Sequence, residues 1–180
     1  MSYFQLPLKI WDDLYKYDWI EGESNFFIKE RLLCSLGQIC LLGPPASGKK
    51  HIAYQISQIT DHKLFIPNHM KDIEILDHYE INLREKKNAI WIVSDLSLFS
   101  KDSISRFKSM LQIEIQELSN DMFEKLLVAR LERFGYALDL DIIRYILLRL
   151  NRSYFDVDRI VDFISKEGRC NLISLKKFFS

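Results

Sequence analysis

The stretch Gly43-Pro44-Pro45-Ala46-Ser47-Gly48-Lys49-Lys50 constrains this chain more than any other. It reads G-x-x-x-x-G-K, and that layout has a physical reason. Glycines let successive backbone N–H groups turn inward around phosphate oxygens, and the start of the next helix adds its positive dipole end. Lys49 then reaches the terminal phosphates. The context fits on both sides. The apolar run Gln38-Ile39-Cys40-Leu41-Leu42 stops at Gly43-Pro44-Pro45, as a buried strand does at a turn. From Lys49 onward, Ile52, Ala53, Ile56 and Ile59 share one helix face. Strand, glycine-rich loop and helix together separate a phosphate loop from a Gly/Pro turn carrying a solvated lysine pair.

Residues Gly43, Pro44, Pro45, Ala46, Ser47, Gly48, Lys49 and Lys50 are therefore the candidate nucleotide-binding set, with ADP or ATP as ligand. The last of them departs from the usual pattern. A phosphate loop ordinarily places Ser or Thr there, because the hydroxyl ligates Mg²⁺. An ammonium cannot coordinate a metal, and Lys50 falls where the divalent cation belongs. Phosphate binding survives this change better than metal-assisted hydrolysis does.

A second irregularity follows. Ile73-Glu74-Ile75-Leu76-Asp77-His78-Tyr79-Glu80 reads as an acidic strand of Walker B type, with Asp77 placing a metal and Glu80 polarising water. Spacing weighs against a full version. Only residues 67–72 separate it from the apolar run 63–66, and a parallel crossover needs about ten to twelve residues. No helix fits there, so at least one crossover is expected to be missing. Asp77 is either a metal residue or, as the spacing favours, a turn carboxylate.

The remaining strands are Ala89-Ile90-Trp91-Ile92-Val93 and a weaker run at 111–115. After Glu117 the period changes to helical. Phe123, Leu126, Leu127, Leu131 and Phe134 share a face closed by Gly135. Ile142, Ile143, Ile146, Leu147 and Leu150 mark a second helix. Ser153 with Asp156 resembles a capping box, and Val157, Ile160, Val161 and Ile164 carry the stripe on to Gly168. Leu172, Leu175, Phe178 and Phe179 suggest a short final helix. The fold class is α/β, a phosphate-loop module with a reduced parallel sheet and a small C-terminal helical lid. Residues 1–20 read as an irregular aromatic arm, 21–117 as the α/β domain and 118–180 as the lid.

Composition narrows the function. Lys+Arg 25 against Asp+Glu 25 gives net zero in 180 residues, so direct sequence-specific DNA binding is not expected. The cysteines Cys34, Cys40 and Cys170 form no C-x-x-C pair, and the four histidines form no metal signature. No signal peptide and no apolar run long enough for a membrane span is visible. A cytoplasmic protein with no membrane partner is the expectation.

Several motifs resemble the DnaA-related AAA+ family. Trp19-Ile20-Glu21-Gly22-Glu23-Ser24-Asn25 resembles the F-V-x-G-x-S-N segment of those modules, and Leu41-Leu42-Gly43-Pro44-Pro45 continues it into the loop. Ser94-Asp95 resembles sensor 1, which implies that Asp95 sits near the nucleotide. Ser103-Ile104-Ser105-Arg106-Phe107 resembles the L-x-S-R-F box, which makes Arg106 an arginine finger and the catalytic candidate. Arg159 falls where the lid's sensor 2 arginine is expected. Residues 134–162 look like the lid of DnaA regulatory inactivators of the Hda type. Gln5-Leu6-Pro7-Leu8 resembles their sliding-clamp-binding peptide, in which Gln5 anchors by its amide and the leucines fill an apolar cleft.

The resemblance implies a regulator of replication initiation that docks on the DNA polymerase sliding clamp. It would hold a nucleotide and promote hydrolysis of DnaA-bound ATP, with self-association open. Two other readings stay open: an ATPase using Lys49, Asp77 and Glu80 on its own nucleotide, or an adaptor that binds none. Plainer roles also stand for single residues. Arg106 also reads as a surface partner of Asp102, Ser94-Asp95 as a helix cap, and Arg159 as a solvated ion-pair residue among Asp156, Asp158 and Asp162.

Overall fold

The computed structural model describes residues 20, 22, 25–168 and 171–179. These fall into two compact units. One comprises residues 25–116; the other comprises Ile20, Gly22 and residues 117–179.

In the first unit the order is α1 (Phe26–Cys34), β1 (Gln38–Leu42), α2 (Lys49–Ile59), β2 (Lys63–Phe65), α3 (Asp72–Arg84), β3 (Ala89–Val93), α4 (Lys101–Ser109) and β4 (Leu111–Glu114). Short 3-10 turns at Pro67–His69 and Leu96–Leu98 follow β2 and β3. The four strands form a sheet in the order β2-β3-β1-β4, and every pair is parallel. Alternation within the strands makes two cores. Ile39 and Leu41 of β1, Ile90 and Ile92 of β3 and Ile113 of β4 face α1 and α2, where Leu32, Ile52, Ala53 and Ile56 are buried. Cys40, Trp91 and Val93 face the other way, against Ile75 and Tyr79 of α3 and Phe107 of α4. Each parallel pair needs a crossover, and the helices on both faces supply them.

Residues 73–76 are not a strand. They lie in the first turns of α3, whose buried residues Ile75, Tyr79 and Asn82 recur at helical spacing. The start is fixed by acidic Asp72 and Glu74, with the Lys71 N–H donating to Glu74 Oε2 at 2.9 Å. The segment expected to follow a missing crossover is itself the crossover from β2 to β3. A window of four apolar and acidic residues fits either period, and the longer spacing to Asn82 decides it.

The second unit contains α5 (Asn120–Arg133), α6 (Leu140–Leu147), α7 (Tyr154–Glu167) and α8 (Leu172–Phe179). Phe123, Leu126, Leu127, Leu131, Ile143, Ile146, Val157, Ile160, Ile164 and Leu175 form its core. Ser119 and Ser153 cap α5 and α7 by accepting from Met122 N and Asp156 N at 3.3 and 3.0 Å. Gly168, at φ 68, terminates α7 in the left-handed conformation. Gly22 lies against Met122 of this unit and has no room for a side chain, since a Cβ there would lie 2.2 Å from Met122 Cγ. No helix among the described residues is long and apolar enough to cross a membrane.

Candidate phosphate-binding site

The loop 43–48 leaves the C-terminal end of β1, between the ends of β3 and β4. Val93 and Glu114 both lie in register with Leu42, and Ile115 N–H donates to the Leu42 carbonyl at 2.8 Å. Gly43 fits only without a side chain, because a Cβ would stand 2.5 Å from the Ile115 carbonyl oxygen. Ala46 (φ 56) and Gly48 (φ 87) are left-handed on either side of Ser47, a pattern that curls successive N–H groups around an anion. Gly48 is the N-cap of α2, so the loop delivers the helix start to the same place.

Lys49 is buried, at 4% exposure. Its ammonium donates to the carbonyls of Gly43 and Pro44 at 2.7 and 2.6 Å and to Ser47 Oγ at 3.4 Å. Among the described residues no carboxylate pairs with it. Burial first, and the nearby Lys50 charge second, lower its pKa from 10.5 to about 8. A buried cation with no carboxylate partner among the described residues, at a helix start and inside a turn of left-handed residues, fits a phosphate group. Gly43, Ser47, Gly48 and Lys49 would hold that phosphate, and Pro44, Pro45 and Ala46 set the path of the loop. Lys50, by contrast, is exposed.

The residues do not fit a magnesium ion. No hydroxyl follows Lys49. The strand β2 runs out through Ile66, Pro67 and Asn68 with no carboxylate at its end. Asp77 is exposed on α3, so it is not the end of an acidic strand. Glu80, the other residue of that motif, is paired with Arg106 at 3.2 Å. Among the described residues no three His, Cys, Asp or Glu side chains cluster as a metal-holding group.

Ser94-Asp95 leaves β3 beside the loop, at the same edge of the sheet. The Asp95 carboxylate caps the 3-10 turn, accepting from Ser97 N–H at 2.8 Å, and this bonding to Ser97 holds its pKa below the usual range. Arg106 lies in the last turn of α4, on the sheet face opposite α2. Its partner is Glu80 rather than Asp102, because α4 packs beside α3 and brings the two side chains together. Ser103 and Phe107 of the same box are buried, and Ser103 Oγ donates to Asp72 Oδ1 at 2.7 Å. In the second unit Arg159 donates to Asp156 at 3.4 Å, with Phe155 and Phe178 beside it at 5.8 and 5.6 Å. Gln5, Leu6, Pro7 and Leu8 lie outside the described residues.

Sequence reasoning missed two features of the site. The Ile115 carbonyl fixes Gly43, and the signal for it was the strand at 111–115, whose neighbour the sequence does not name. Glu80 holds Arg106, and no local pattern links residues so far apart.

A parallel sheet with helices on both faces, a glycine-rich loop at the end of a central strand and a helical unit define a phosphate-loop type of α/β fold. The solved structures narrow this to the fold of AAA+ domains. The AMPPCP-bound DnaA of Aquifex aeolicus is similar, with TM-score 0.68 and 17% identity over 86% of this chain and 64% of that one. Domain III of Thermotoga maritima DnaA gives TM-score 0.63 and 12% identity over 90% of this chain and 95% of that one. The Holliday junction branch migration motor RuvB of Thermotoga maritima gives 0.61 and 15% over 87% and 68%. The chain thus spans just under two thirds of the AMPPCP-bound DnaA. No protein-family model matches the sequence, nor does any curated protein.

Proposed function

We propose that this chain is a regulator of replication initiation of the Hda type, which holds a nucleotide in the loop 43–49 without hydrolysing it efficiently. The observation that carries the nucleotide part is Lys49, a buried ammonium ringed by loop oxygens and paired with no carboxylate among the described residues. Burying such a charge is costly unless an anion joins it, and a bound phosphate supplies that anion. The donor set around the loop supports holding a nucleotide over cutting it. The fold shared with AMPPCP-bound DnaA supports the same ligand class.

The partner assignments rest on the motif resemblance. Gln5, Leu6, Pro7 and Leu8 dock on the sliding clamp. By that resemblance Asp95 is the sensor 1 residue, Arg159 the sensor 2 residue of the helical unit, and Arg106 is presented to the ATP held by DnaA. An arginine finger supplied in trans stabilises charge developing on the transferred phosphoryl, and in other NTPases is worth on the order of 10³–10⁵ in rate. The work is done in the cytoplasm, on proteins rather than directly on DNA.

Thermal unfolding with and without millimolar ADP or ATP tests the nucleotide part. The wild type is expected to melt several degrees higher with ligand, and Lys49→Ala to lose that gain. No shift in the wild type would remove it and leave the adaptor reading. Titration onto immobilised sliding clamp tests the other part. Saturable binding lost in a Gln5→Ala/Leu8→Ala variant is expected, and equal binding by both proteins would remove the clamp assignment.

A further inference from the structure

We infer that the loop takes its nucleotide free of divalent metal, with Lys50 filling the electrostatic place of the metal ion. This rests on the proposed nucleotide site and specifies the form of its ligand. Lys50 is the second residue of α2, exposed and paired with no carboxylate among the described residues. It stands at the position where a hydroxyl would ligate Mg²⁺. Its charge acts on the loop, since it is one of the two causes that depress Lys49. Among the described residues no three His, Cys, Asp or Glu side chains cluster as a metal-holding group. Asp95 caps the Ser97 N–H, Glu80 pairs with Arg106, Asp77 is exposed on α3, and β2 ends without a carboxylate.

Charge arithmetic points the same way. Two ammoniums and the start of α2 together present about +2.5, since a helix N-terminus is worth roughly half a charge. The phosphates of a nucleoside diphosphate carry roughly −3 at neutral pH, so free diphosphate nearly neutralises the loop. A divalent ion carried in with the nucleotide would add +2 to a loop that Lys49 and Lys50 already make positive. Like charges at Lys49 and Lys50 oppose each other in the loop. Metal-free phosphate relieves that repulsion, and a metal complex relieves much less of it.

The test is calorimetric titration of the full chain with ADP, in EDTA and again in millimolar MgCl2. The dissociation constant in EDTA is expected to equal or fall below that in MgCl2. Lys50→Ala, at an exposed position, should weaken ADP in EDTA by about tenfold with an unchanged circular dichroism spectrum, and Lys50→Arg should retain the wild-type value. Magnesium that strengthens wild-type binding by about tenfold would overturn the inference while leaving the nucleotide site standing. Unchanged affinity of Lys50→Ala in EDTA would overturn it too. No binding of ADP in either buffer would remove the nucleotide reading itself, and this inference with it.

Discussion

The Arg106 guanidinium lies 3.2 Å from the Glu80 carboxylate, and its Cζ sits 5.5 Å from the centre of the Tyr79 ring. Both partners belong to α3, which covers the sheet face opposite the loop helix α2. The phosphate loop leaves the sheet at its C-terminal edge. Arg106 lies in the last turn of α4, shortly before β4 starts at the other edge. Such an arginine is turned away from the chain's own loop, which suits the trans role proposed for it.

Arg106→Ala should therefore leave the fold intact and remove the function. The pair is about half exposed on each side, at 46% and 47%, so its loss should cost less than about 1 kcal/mol in urea unfolding. Clamp binding should be unchanged, while stimulation of DnaA-bound ATP hydrolysis should drop by on the order of 10³. Full stimulation by the variant would remove Arg106 from the mechanism.

Lys49 makes stability and ligand affinity respond to pH in opposite directions. Its folded pKa of about 8 lies below the ordinary 10.5, because burial and then Lys50 disfavour the charged form. Between those values the unfolded chain holds the proton and the folded chain does not. Stability without ligand should therefore rise by a few kcal/mol as pH climbs through this window, with no such rise in Lys49→Met. A bound phosphate favours the charged ammonium and reverses the sign. ADP affinity should then fall about tenfold between roughly pH 7.5 and pH 9, and Lys49→Arg should flatten that dependence. Calorimetric titration at the two pH values checks it, and equal affinities would contradict it.

Two glycines flanking β1 should respond unequally to alanine. Gly37 has φ +85 with nothing within 4 Å of a new Cβ, so Gly37→Ala should cost only backbone strain, about 1 kcal/mol. Gly43 has φ +153, and its Cβ would meet the Ile115 carbonyl at 2.5 Å, a backbone atom that cannot rotate away. Gly43→Ala should cost roughly 2–4 kcal/mol and also weaken ADP. Equal losses in urea unfolding would show that the close approach is not what the glycine serves.

The strand, loop and helix of residues 38–59 were legible in the sequence because all their determinants are local: a five-residue apolar run, two glycines and the stripe of α2. The helices of the second unit were legible for the same reason, through long stripes and caps at Ser153 and Gly168. The middle of the chain was not. Residues 73–76 offer a short run compatible with either period, and burial of Ile75, Tyr79 and Asn82 in a line decides for α3. Helices α1 and α4 were also missed. In α4 only Ser103 and Phe107 are buried, too few apolar positions to set a period. The Glu80–Arg106 pair depends on how α3 and α4 pack, which is tertiary information.

Gln38 ties the sheet to α3 at the end of β1 away from the loop. Its side-chain carbonyl accepts from Trp91 Nε1–H at 3.0 Å, and its amide donates to the Tyr79 carbonyl at 3.0 Å. Trp91 is fully buried and stacks on Phe65 at 4.3 Å, so water cannot replace the lost acceptor. Gln38→Leu strands the indole N–H and should cost about 1–3 kcal/mol in urea unfolding. The double variant Gln38→Leu/Trp91→Phe removes the stranded donor along with its acceptor. Its loss should be smaller than the sum of the two single losses. ADP affinity should change by less than about threefold in Gln38→Leu, because the loop lies one strand length away and is held by Ile115 and Lys49 rather than by Gln38. Strictly additive losses would mean that the Gln38–Trp91 bond contributes nothing. A large fall in ADP affinity would mean that the two ends of β1 are coupled.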